Sequence, residues 1–190
     1  MSILGVVLAA GAGSRFADSG GSGPKQLAVV RGVALVDQVL AAALAAEFDE
    51  VALVDGGTAL DDRAVRGVVV LHNPAWAEGI ASSLQVALAH ARSVGHDAVV
   101  VGLADQPGVT SAAWRAVADA PVDPPIAVAT YAGRRANPVR LAATVWDLLP
   151  ITGDEGARAL MLERPDLVGE VPCSGEPWDV DTVEDLERWS

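Results

Sequence analysis

The sequence predicts an α/β fold in which a mainly parallel sheet is flanked by helices. Three observations carry this. Short apolar runs recur at residues 3–8, 51–54, 68–71 and 97–103, each the length of a strand buried on both faces. Stretches of helical period, 35–46 and 79–92, stand between them, and such alternation builds βαβ units. The first run empties into a loop of small residues, Ala9 to Ser14, followed by Gly20, Gly21 and Gly23. In parallel sheets that edge is where ligands bind.

The remaining elements follow in order. Thr110 is placed to N-cap a helix over 111–118. Pro121, Pro124 and Pro125 make a rigid connector. Strands are expected at 126–131 and 138–141, around a turn at Gly133, Arg134 and Arg135. Helices are expected at 142–149 and 155–162, then a short strand ending near Val171 and a closing helix over 183–189. A chain of 190 residues suits one domain, 1–190, with a real core.

Composition narrows the function. Fifty-one per cent hydrophobic residues and a mean hydropathy of +0.33 exclude disorder. A net charge of −12 argues against a broad nucleic-acid or anionic-membrane surface. It also makes clustered basic residues informative. Cys173 is the only cysteine, which fits a reducing, cytoplasmic setting. No run approaches membrane-spanning length. Residues 3–12 have the apolarity of a signal-peptide core but lack a preceding basic residue.

The loop carries Arg15 and then Lys25, the one lysine against twelve arginines. Glycines let backbone N–H groups approach an anion, and a compact ammonium is not replaceable by a flat guanidinium where space is tight. This set suits a nucleoside triphosphate. Asp105 ends the fourth strand, where a carboxylate is well placed to hold Mg²⁺ together with phosphate oxygens. The alternative for Asp105 is a turn or cap residue. Near the C-terminus, Asp179 and Asp181 alternate along an extended segment. Asp181 or Thr182 could instead cap the last helix, with Glu184 and Asp185 favourable in its first turn. His72, His90 and His96 show no ligand spacing and are read as ordinary.

Six stretches resemble, in order, the MobA/MocA-like nucleotidyltransferases. They are Leu8-Ala9-Ala10-Gly11 through Arg15 to Lys25; Asn73-Pro74-Ala75-Trp76 through Gly79 to Ser83-Leu84; Ala104-Asp105-Gln106-Pro107; Gly133 to Val139; Gly153-Asp154-Glu155-Gly156-Ala157-Arg158; and Asp179 to Leu186. The resemblance implies a Rossmann-like, GT-A-like nucleotidyltransferase fold. It implies nucleotide binding by Leu8, Ala9, Ala10, Gly11, Ala12, Gly13, Ser14, Arg15, Lys25, Gly79, Ser83 and Asp105. Arg15, Lys25 and Asp105 would be catalytic, and Asp105 and Asp181 would ligate Mg²⁺. The implied reaction moves CMP from CTP onto a phosphorylated, molybdopterin-type acceptor, with a molybdoenzyme as a further partner. Three positions depart from the family pattern: Ala104 and Ala136 stand for Gly, and Asn137 for His. Alternatives are a nucleotide-binding cofactor carrier, a guanylyl transferase and a sugar-1-phosphate nucleotidyltransferase.

Overall fold

The computed structural model describes residues 1–60, 62 and 67–189. Among these residues nine strands form: β1 (Ile3–Leu8), β2 (Val29–Val30), β3 (Val33–Ala34), β4 (Glu50–Asp55), β5 (Val68–His72), β6 (Ala98–Leu103), β7 (Ile126–Tyr131), β8 (Arg134–Ala142) and β9 (Val168–Pro172). Seven make one sheet in the order β5-β4-β1-β6-β8-β7-β9. Every neighbouring pair is parallel except those made by β8, which runs against both β6 and β7. The expected α/β class with a mainly parallel sheet is what forms.

Side-chain alternation along β1 sorts the core into two layers. Val7 and Ala9 pack with α2 (Leu35–Leu44) and α4 (Ser111–Ala118), through Val36, Leu40 and the fully buried Trp114. Leu4, Val6 and Leu8 pack with α3 (Ile80–Val94) and α5 (Ala157–Glu163), through Leu84, Leu88 and Leu160. Thr110 caps α4 as its position predicts, accepting from Ala113 N at 3.2 Å. Such a cap contributes about 1 kcal/mol. Two short helices complete the chain, α1 (Ser14–Asp18) and α6 (Val183–Trp189). Among the described residues no helix is long and apolar enough to cross a membrane.

Three local expectations are corrected. Residues 142–149 do not form an α-helix; Ala143–Leu148 is a 3₁₀ helix. The turn between β7 and β8 is tighter than expected. It uses Ala132 and Gly133, both at positive φ, the geometry that matches strand twist in a two-residue hairpin. Arg134 and Arg135 therefore lie in β8. The β2–β3 hairpin was not anticipated; it turns on Arg31 and Gly32, again at positive φ. Its strands are two residues each, too short for a period-2 pattern.

At the amino ends of the strands, His90 and His96 converge on Glu50, their Nε2 atoms 3.1 and 3.0 Å from Glu50 Oε2. With Nε2–H donating, His96 Nδ1 accepts from the Ser2 hydroxyl at 2.8 Å. Burial opposes ionisation of Glu50, but the two imidazole hydrogen bonds outweigh it and lower its pKa. A carboxylate with a depressed pKa stabilises the fold above its unfolded value and loses that contribution as pH falls through the folded one. The stability gap between wild type and Glu50→Gln is therefore expected to shrink as pH drops from about 5.5 to about 3. Urea midpoints across that range test it; a pH-independent gap would contradict the linkage.

Candidate active site

From β1 the sheet grows outward through β4 and β5, and the chain then returns to place β6 on the other side of β1. The carboxyl ends of β1 and β6 thus flank a topological switch point, the usual ligand crevice of such sheets. The loop after β1 and Asp105 after β6 meet there.

Gln26 shapes the loop. It is buried, and its Nε2 donates to Ala9 O at 2.8 Å and Gly11 O at 2.6 Å. Gly13 is left-handed at φ 65°, and a Cβ on it would lie 2.9 Å from Lys25 Cβ. Glycine is therefore required there by both backbone and space. Among the described residues, the backbone N–H groups of Ala10 to Ser14 meet no protein acceptor. Clustered free N–H groups at a glycine turn form a concavity for anions.

Beside this loop the charged residues converge. Lys25 Nζ donates to Asp105 Oδ2 at 2.6 Å and to Asp181 Oδ1 at 3.0 Å. Arg15 Nη1 reaches Asp181 Oδ2 at 2.5 Å. Burial disfavours the Lys25 ammonium, yet the Asp105 and Asp181 carboxylates outweigh it and hold its pKa above the ordinary lysine value. Arg15 is 75% exposed, so its pair is screened and weak. Asp181 arrives because Val180 N donates to Asp105 O at 2.9 Å. The cap of α6 is made by others: Thr182 Oγ1 accepts from Asp185 N, and Asp185 Oδ2 accepts from Asp181 N and Thr182 N. That reciprocal arrangement is a capping box, and it leaves the Asp181 carboxylate for the site.

Asp105 Oδ1 is buried without a hydrogen-bond partner. A lone buried carboxylate oxygen beside a second carboxylate fits a divalent cation. Among the described residues no group of three or more acidic, histidine or cysteine side chains makes a closed metal cage. Divalent cations of this kind are held by one or two carboxylates plus substrate oxygens.

A cleft of about 330 Å³ opens over the loop. Leu8, Ala10, Gly11, Ala12, Gly79, Ser83 and Asp105 line it, together with Trp76 and Asp154. Ala9 packs into the opposite layer, while Gly13, Ser14, Arg15 and Lys25 stand beside the cleft on the loop and α1. Ser83 is buried and accepts from Asn73 Nδ2 at 2.9 Å. Gly79 has φ 101°, and a Cβ there would fall 2.5 Å from Gly153 O. This close approach brings Asp154 to the cleft. Asp154 and Arg158 do not form the i,i+4 pair their spacing permits, because α5 begins only at Ala157.

A larger cavity of about 1100 Å³ adjoins the first and shares Leu8, Ile80, Leu103 and Asp154 with it. Arg134, Arg158, Asn137, Gln106 and Asp179 are on its wall. Gln106 links two of them: Asn137 Nδ2 donates to its Oε1 at 3.1 Å, and its Nε2 donates to Asp179 Oδ1 at 2.7 Å. Burial and the nearby Asp105 charge raise the pKa of Asp179, against the Gln106 hydrogen bond. The structural parts of Gln26 and Gln106 were missed in the sequence. The available signal was an amide directly following Lys25 and Asp105.

The MobA-like NTP transferase domain family matches residues 5–167. The chain belongs to this family. Nicotine blue oxidoreductase of Paenarthrobacter nicotinovorans is 34% identical over 204 residues, covering 98% of this chain and 95% of that protein. The structure of Rv0371c from Mycobacterium tuberculosis H37Rv superposes with a TM-score of 0.82 at 34% identity, covering 99% and 97% of the two chains. Rv0371c also has a structure in complex with manganese. A nucleotidyl transferase from Methanothermobacter thermautotroptrophicus gives a TM-score of 0.81 at 25% identity, covering 98% and 95%. In this MobA-like protein the matched span holds the glycine loop, Lys25 and Asp105, and Asp181 lies beyond it.

Proposed function

We propose that this MobA-like protein transfers a nucleotidyl group, CMP from CTP, to a phosphorylated pterin-type acceptor and releases pyrophosphate. The observation that carries this reading is the convergence of Lys25, Asp105 and Asp181 beside a loop of unpaired N–H groups. Asp105 and Asp181 would hold Mg²⁺, which when bound neutralises phosphate charge and polarises the reacting phosphate. Transfer of this kind depends on positioning and charge stabilisation. The loop amides cradle the triphosphate, and Lys25 and Arg15 offset charge on the departing pyrophosphate. The acceptor enters from the larger cavity, whose Arg134 and Arg158 complement an anion. An ionised phosphate acceptor needs no general base.

The base preference rests on Ala10. Its methyl lies on the cleft wall, against Gly56 and Trp76: a Cβ on Gly56 would come 2.9 Å from Ala10 Cβ and 2.6 Å from Trp76 Cβ. With Ala10 backed this closely it cannot retreat, and its methyl would leave less room for the second ring of a purine. Incubating the protein with each NTP, Mg²⁺ and molybdopterin, and following pyrophosphate, tests transfer. The kcat/KM for CTP is expected to exceed that for GTP by about tenfold or more, the scale of a methyl-sized change in a pocket. Equal use of both would remove the cytidylyl assignment and leave the transferase reading intact. The 34% identity to a protein named an oxidoreductase supports a redox second reading. Oxidation of reduced nicotinamide cofactor without pyrophosphate release from any NTP would establish it instead.

A further inference from the structure

The two carboxylates that suit a divalent cation are already bridged by an ammonium. Lys25 Nζ contacts one oxygen of each, at 2.6 and 3.0 Å, and Arg15 holds the other oxygen of Asp181. These two acids and two bases offset one another, with Asp179 a third acid close by. A divalent cation entering this cluster meets two like charges and finds both Asp181 oxygens and Asp105 Oδ2 taken, with only the buried Asp105 Oδ1 free. We propose that Lys25 makes metal binding conditional on the nucleotide: its ammonium holds Asp105 and Asp181 until a triphosphate draws it away, and the freed carboxylates then accept the cation. The proposal rests on the triphosphate reading of the loop.

The surroundings suit a side-chain exchange rather than a loop movement. Gln26 fastens the backbone beside Lys25 to Ala9 O and Gly11 O, and Gly13 packs against Lys25 Cβ. The base of the side chain is fixed, and its flexible four-carbon stem is the moving part. Side-chain rotamer changes are fast compared with turnover. The unpaired N–H groups belong to the loop whose Gly13 packs against Lys25 Cβ, so a polyphosphate seated on them would give the ammonium a more highly charged partner. A guanidinium would grip carboxylates through a bidentate fork and release them less readily. That accounts for a lysine here in a chain that otherwise uses arginine.

Equilibrium dialysis of MnCl₂ tests the gate, alone and with CTP or GTP on both sides of the membrane. Without nucleotide, Lys25→Met is expected to bind Mn²⁺ at least about tenfold more tightly than wild type, within the usual range of coupling between sites. With the nucleotide that the protein accepts, the advantage should vanish or reverse. Adding Asp105→Asn to Lys25→Met should abolish the gain, which locates the ion. Lys25→Gln, with melting temperatures for all variants, guards against a folding defect in the Met variant. Equal Mn²⁺ affinities without nucleotide would overturn the gate. So would a gain that both nucleotides leave unchanged, or one that survives Asp105→Asn. These measurements read bound metal, so they are distinct from failure of the transfer reading, which would appear as no pyrophosphate from any NTP.

Discussion

Asp105→Ala is expected to lower turnover by at least about a hundredfold, the scale of losing one preorganised electrostatic group. The substitution removes one of the two anchors of Lys25 and the carboxylate proposed above to hold the cation. Asp181 alone would keep the ammonium, displaced from its present position. Folding should survive, because the segment that carries Asp181 is tied to Asp105 through the backbone, from Val180 N to Asp105 O. Asp105→Asn keeps the shape and loses the charge. If charge is what matters, the Asn variant should be nearly as slow as the Ala variant. Pyrophosphate release under saturating NTP, with circular dichroism as the control for folding, decides it. Near wild-type turnover in a folded Asp105→Ala protein would remove this residue from the mechanism.

The second large effect is on stability. Arg140 is 1% exposed in β8, and its guanidinium donates to the carbonyls of Ala118, Ala120 and Pro121. These are the last carbonyls of α4 and the turn that follows, groups that a helix end leaves unsatisfied. A cation there also complements the negative end of the helix. Burial lowers the Arg140 pKa. Arg140→Ala would strand several buried acceptors and open a cavity, for an expected loss of about 3–5 kcal/mol. Arg140→Lys keeps the charge but cannot fork across the carbonyls, so it should recover only part of this. Denaturant midpoints for the three proteins test the ordering. An Arg140→Ala midpoint within experimental error of wild type would show that water satisfies those carbonyls.

Arg140 also shows where sequence reading stops. Its position in an apolar run marked a strand, but nothing local said that the side chain would turn inward to serve a helix twenty residues earlier. The strands were legible because burial on both faces demands unbroken apolar runs. That the glycine loop and Asp105 share one sheet edge was legible because each follows the carboxyl end of an apolar strand of a parallel sheet. The pairing of Asp181 with Lys25 was not, since it depends on which strand precedes the C-terminal segment and on the single Val180–Asp105 hydrogen bond. The histidines were read as ordinary for the same reason. His90 and His96 meet only because α3 and the start of β6 share one end of β4, which brings both to Glu50.

The return of residues 179–181 to Asp105 has a consequence for how the protein is made. Lys25 meets Asp105 across 80 residues and Asp181 across 156. A chain emerging N-terminus first can close the shorter of these contacts long before the longer one is available. Synthesis adds about 5–20 residues per second. A nascent chain therefore displays the glycine loop and one acid while the second is still being synthesised. Placing Asp181 so much farther along the chain than Asp105 makes this ion-pair cluster one of the later features to close as the polypeptide emerges.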